Sequence, residues 1–140
     1  MISVEIEGSY TFPNETDKFY NQHDVQQRKN GNVYLIDNGA DRPVGNYSRG
    51  AEYFIDHQNK IVKLVWEFLP KLPNGRLVST YHGGSISLSE DSDDAIRYLS
   101  FTCDELYMTF NCTMVAYEVD SQGNQLSYIE FINVPSQKAK

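Results

Sequence analysis

The strongest constraint in the sequence is an alternation of period two between residues 106 and 119. Leu106, Met108, Phe110, Cys112, Met114 and Ala116 fall on one side. Tyr107, Thr109, Asn111, Thr113, Val115 and Tyr117 fall on the other. Only an extended strand puts every second side chain on one face. One face of this strand is apolar and the other semi-polar. The same period runs from Ile2 to Phe12, where Ile2, Val4, Ile6, Tyr10 and Phe12 oppose Ser3, Glu5, Glu7, Ser9 and Thr11.

Shorter strand patterns fill the rest of the chain. They cover residues 33–37, 51–56, 61–69, 76–82, 85–89, 95–103 and 125–134, with a short helix capped by Asp93 or Asp94 as the alternative at 95–103. In the 61–69 segment Val62, Leu64, Trp66 and Phe68 share a face. A helix competes there, but β-branched and aromatic content favours a strand. Asn38-Gly39, residues 57–60, Pro73-Asn74-Gly75, Gly83-Gly84 and residues 120–124 read as turns. Residues 13–31 are polar and read as a long surface loop. Residues 135–140 read as a frayed tail.

Short connections between sequential strands predict an antiparallel meander. The expected fold is all-β: about eight strands closed into a small β-barrel, with a two-sheet β-sandwich as the alternative. The chain has 140 residues and no internal repeat, so one domain spanning 1–140 is expected.

The formal charge is -7. A phosphate backbone or an anionic membrane surface would be repelled, which argues against both as partners. Arg28-Lys29 is the one basic pair and reads as a solvated loop. The first residues contain no continuous apolar run of a secretory leader, and no segment is long enough to span a bilayer. A cytoplasmic setting is expected, with Cys103 and Cys112 either reduced or paired.

No metal, phosphate or nucleophile motif stands out. His23, His57 and His82 lack metal-ligand spacing, and the acidic run at residues 89–94 lacks the glycine and closing glutamate of a calcium loop. No cofactor is implied. The histidines read as exposed loop residues. Cys112, on the apolar strand face, reads as core.

Residues 32–39 (NVYLIDNG), followed by Pro43-Val44-Gly45, resemble the opening of allene oxide cyclase-like barrels. An aliphatic strand leading to Phe68 and Gly75, and a Ser- and Gly-rich strand at 83–89, continue the resemblance over residues 30–119. Small bacterial barrels that close polyketide rings share the template. Cys103-Asp104-Glu105 stands where glycines would be expected, and no catalytic residue carries over. The resemblance implies an eight-stranded barrel, often a homo-oligomer, whose lumen folds a flexible apolar substrate for cyclisation.

Two functions follow. In the first, a small apolar molecule occupies the lumen, either simply bound or cyclised without a cofactor. The strand pattern places Tyr53, Trp66, Phe68, Met108, Phe110 and Met114 toward such a lumen, with Tyr53, Tyr81, Tyr128 and Glu130 as its polar groups. Ring closure would rest on holding the substrate in a reactive fold. The alternative is an acidic inhibitor or immunity-type protein that neutralises a basic protein partner through an exposed face carrying Tyr107 and Tyr117.

Overall fold

The computed structural model describes residues 9–102 and 112–132. Among them are eight strands: β1 (Gln22–Gln27), β2 (Val33–Asp37), β3 (Arg49–Asp56), β4 (Ile61–Phe68), β5 (Ser85–Leu88), β6 (Arg97–Thr102), β7 (Cys112–Val119) and β8 (Gln125–Ile132). A short 3-10 turn, Glu15–Asp17, precedes β1. Every strand pairs antiparallel with its sequence neighbour, but the meander is broken once. β1 to β4 form one four-stranded sheet and β5 to β8 a second.

The expected barrel is therefore corrected to two separate sheets, the arrangement closer to the sandwich alternative. The cause lies between β4 and β5. Residues 69–84 are not a hairpin turn. They contain an isolated bridge between Lys71 and Leu77, and the expected strand at 76–82 is absent. This long crossing starts a new sheet instead of extending the first. β5 then approaches β1 and β2 without joining their ladder.

The sheets share one apolar core. Tyr34, Ile36 and Trp66 of the first sheet pack with Leu99, Phe101 and Tyr117 of the second. Phe68 and Phe101 meet the Tyr117 ring edge-on at 5.3 and 6.1 Å. Each such pair contributes about 0.5–1.5 kcal/mol beyond its burial. Gly50 lets the sheets approach: a Cβ there would stand 2.2 Å from Leu99 Cδ2. A buried ion cluster lies in the same layer, where Glu52 accepts Arg28 and Arg97, each at 2.8 Å. The Arg97 guanidinium also covers the Trp66 ring. Arg28, expected in a solvated loop, is buried.

Two strands differ from the expected facing. In β4, Val62 and Leu64 pack on the outer face with Tyr53, whereas Trp66 and Phe68 pack between the sheets. The β3–β4 register slips between Glu52 and Tyr53, so Glu52 opposes Trp66 but Tyr53 opposes Leu64. The bulge reverses the facing of everything after it. In β7, Val115, Tyr117 and Val119 point into the core, while Met114 and Ala116 are half-buried. Tyr117, expected on an exposed partner-binding face, is 2% exposed. Tyr107, Met108, Phe110, Cys103 and residues 133–140 lie outside the described residues.

Candidate functional site

The segment expected as a polar loop contains β1, and the irregularity of this strand builds the site. The β1–β2 register slips between His23 and Gln26. Inside the slip Asp24 has φ +50, a backbone that Asp adopts more readily than most residues. Asp24 Oδ2 accepts the Ile86 amide at 2.7 Å, and Gln26 Nε2 donates to the Ile86 carbonyl at 2.8 Å. These two side chains pin β1 to β5. His23 opposes Ile36, a core residue, so it lies on the face turned toward the second sheet.

His23 Nδ1 lies 2.6 Å from Asn38 Oδ1. The proton between them follows from the rest of the Asn38 amide. Its Nδ2 donates to Thr80 Oγ1 at 2.7 Å and to the Gly83 carbonyl at 3.0 Å. A carbonyl only accepts, so the amide nitrogen faces Gly83 and the oxygen faces His23. His23 therefore donates from Nδ1, and in the neutral ring the lone pair sits on Nε2.

Asn38 is itself held rigidly. It is fully buried, and Ser48 Oγ donates to its backbone carbonyl at 2.9 Å. The preceding Asp37 anchors the turn. Its Oδ1 accepts the amides of Tyr20 and Gly39, and its Oδ2 accepts Arg42 Nη2 at 2.7 Å and Arg49 Nε at 2.9 Å. Burial opposes the Arg49 charge, but Tyr53, Asp37 and Glu67 outweigh it and hold the guanidinium above its ordinary value. Gly39 has φ +69, and a Cβ there would overlap the Tyr47 carbonyl.

The crossing segment closes the other side. Thr80 N donates to Ser48 Oγ, Asn21 Nδ2 to the Tyr81 carbonyl at 2.7 Å, and Thr102 Oγ1 to the His82 carbonyl at 2.6 Å. His82, with its side chain exposed, is thus placed between anchored neighbours beside β1. Gly84 has φ +111, and a Cβ there would lie 2.9 Å from the Ser100 carbonyl. The result is a half-buried imidazole of fixed orientation, with a second imidazole on the adjoining segment. Among the described residues no three His, Cys, Asp or Glu side chains converge as metal ligands.

The candidates expected to line a lumen are scattered. Tyr53 packs on the outer face of the first sheet, with its hydroxyl donating to the Asp17 carbonyl, and burial pushes that phenol up. Trp66 and Phe68 are core residues between the sheets. Met114 is half-buried in β7. Tyr81 contributes its carbonyl to the His23 neighbourhood. Tyr128 packs at the core margin and donates to Glu130 at 3.2 Å. Partial burial, then the Glu130 charge, pushes its phenol up to about 12. Glu130 is exposed. Among the described residues the two sheets do not close around a lumen that would gather them.

His23 and Asn38 were not among those candidates. The partner of the His23 ring comes from another strand's end. The Asn38-Gly39 pair signals only a turn in the sequence.

Residues 12–128 match the model of the family described as Arylsulfotransferase (ASST). No curated protein matches the chain significantly. The family match overturns the resemblance to allene oxide cyclase-like barrels. With it go the cofactor-free cyclase or isomerase and the lumen carrier of an apolar molecule. It also overturns the alternative of an acidic inhibitor or immunity-type protein. No helix among the described residues is long and apolar enough to cross a membrane.

Proposed function

This chain belongs to the arylsulfotransferase family, and on that premise we propose that it transfers a sulfuryl group between aromatic hydroxyls with His23 as the reacting side chain. The observation that carries this reading is the lock on the His23 ring. Asn38 holds the proton on Nδ1, which leaves the Nε2 lone pair available. A nucleophile or base oriented by a second, rigid group is the recurring geometry of group transfer.

The step balances without a cofactor. His23 Nε2 attacks the sulfur of an aryl sulfate, the N–S bond forms, and the S–O(aryl) bond breaks with its electron pair leaving on the phenolate. The Nδ1 proton stays between His23 and Asn38. An acceptor phenol then attacks the sulfur, the N–S bond breaks, and the phenol's proton passes to solvent or to a nearby base.

The test is transfer from 4-nitrophenyl sulfate to a phenol, followed by release of 4-nitrophenolate. His23→Ala is expected to lower the rate by at least about a hundredfold. Mass spectrometry of the donor-treated protein is expected to place one sulfuryl group on the peptide carrying His23. Equal activity in wild type and variant, or no transfer by wild type, would overturn the proposal.

A further inference from the structure

The outer face of the first sheet, opposite to His23, carries an apolar groove of about 590 Å³. That volume falls within the range of small-molecule sites. Phe12, Phe19, Val25, Leu35, Tyr53 and Val62 line it. Phe12, Phe19 and Tyr53 meet edge to face, with centroids 5.6 to 6.1 Å apart. Such a cluster offers both ring faces and ring edges to a further aromatic ring. Val25 is 55% exposed there, a large apolar side chain left open to solvent.

The polar groups at this groove are unusual for the chain. The molecule has 19 acidic residues, yet among the described residues no carboxylate lines the groove. His57 and Tyr10 line it and are hydrogen-bonded to each other at 2.5 Å, Tyr10 Oη to His57 Nδ1. When the Tyr10 hydroxyl donates, His57 keeps its proton on Nε2, where it can donate to a ligand. The Lys60 ammonium stands 5.0 Å from the centre of the Tyr10 ring. An aromatic enclosure thus borders on a cation and an N–H donor.

We propose that this groove is a binding site for a small planar aromatic anion, with its ring among Phe12, Phe19 and Tyr53 and its anionic group toward Lys60 and His57. The charge pattern selects against a cation, and the apolar lining selects against a sugar or a free inorganic anion. The sheet separates this site from His23, so it does not hold the reacting molecule. It stands on its own geometry whether or not the reaction at His23 is sulfuryl transfer.

The experiment is equilibrium titration of the full chain carrying His23→Ala, which cannot take up the sulfuryl group, with 2-naphthyl sulfate and, separately, with uncharged 2-naphthol. Circular dichroism confirms that each variant is folded. This chain is expected to bind one naphthyl sulfate with Phe12, Phe19 and Val25 resonances shifted in NMR spectra. Val25→Glu is expected to weaken naphthyl sulfate binding by about tenfold or more. Lys60→Asn tolerates the positive φ at this position; it is expected to weaken binding of the sulfate but not of 2-naphthol. Three results would overturn the proposal. Val25→Glu and Lys60→Asn could leave affinity unchanged. Binding could disappear in His23→Ala, which would place the ligand at the reaction centre. Wild type could instead be a dimer that takes up no naphthyl sulfate and dissociates on Val25→Glu, which would make the groove a contact between copies.

Discussion

At the scale of single residues, the site depends on one amide. Asn38 joins His23 to Thr80 and Gly83, so its removal frees the imidazole to rotate and to take the other tautomer. Asn38→Ala is expected to lower sulfuryl transfer roughly 10–100-fold, the usual cost of losing a group that orients a reactive ligand. The rate should fall while the phenol-acceptor KM changes little, as separate kcat and KM measurements would check. A second residue-scale prediction concerns Glu52. Burial alone would raise this carboxyl, but hydrogen bonds from Asn32, Arg97 and Arg28 hold it below its ordinary value. A lowered folded value means that the stabilisation is present above the ordinary value of 4.5 and is lost as pH falls through the lowered one. Glu52→Gln leaves the buried Arg97 guanidinium without a carboxylate, while Arg28 keeps Asp91 and Asp93, and should cost about 3–5 kcal/mol at neutral pH. Urea unfolding over a pH series should also show a shallower acid-side loss for the variant. None of these partnerships was legible in the sequence. Glu52 lies far along the chain from Arg28 and Arg97, and local pattern carries no information about such pairs. The turn at Asn38 was legible, but not that its amide would serve a histidine.

At the scale of elements, the sequence patterns located most strands, and the misses have a common cause. Strands β2 to β8 fall within or overlap segments marked by alternation or by β-branched and aromatic residues. β1 was missed because QHDVQQ has one apolar residue, and its burial comes from side chains that hydrogen-bond across to β5. The direction of each face was harder still. A bulge changes parity without leaving any mark in composition, so Val62 and Trp66, both read onto one face, end on opposite sides of the sheet. The close approach at Gly50 gives this scale its prediction. A methyl there must displace Leu99 and press on Trp66 Cζ3 at 3.3 Å. Gly50→Ala should destabilise by about 1–3 kcal/mol through overpacking. Chemical denaturation would read this directly, and Leu99→Ala in the same chain should recover part of the loss if the clash is the cause.

At the scale of the whole molecule, the antiparallel pairing of neighbouring strands was readable but the break between sheets was not. Short turns do imply a meander, and each half is one. What separates the halves is the crossing at 69–84, whose Pro, Gly and Ser residues were read as turns around a strand. Trp66, the single tryptophan, stands in the layer that both sheets share. If the sheets are stable only together, its fluorescence and the far-UV circular dichroism should lose their native signals at the same denaturant concentration. Separate transitions would mean that one sheet persists without the other.

The stitch between Asp24, Gln26 and Ile86 has a further consequence. The Ile86 amide proton is held by a carboxylate from another sheet, not by a neighbouring strand's carbonyl. Its exchange with deuterated solvent therefore reports one event, the departure of β1 from β5. That event also carries His23 away from the segment around Gly83. A single amide thus acts as a clock for how often the site comes apart, and it can be read with no substrate present.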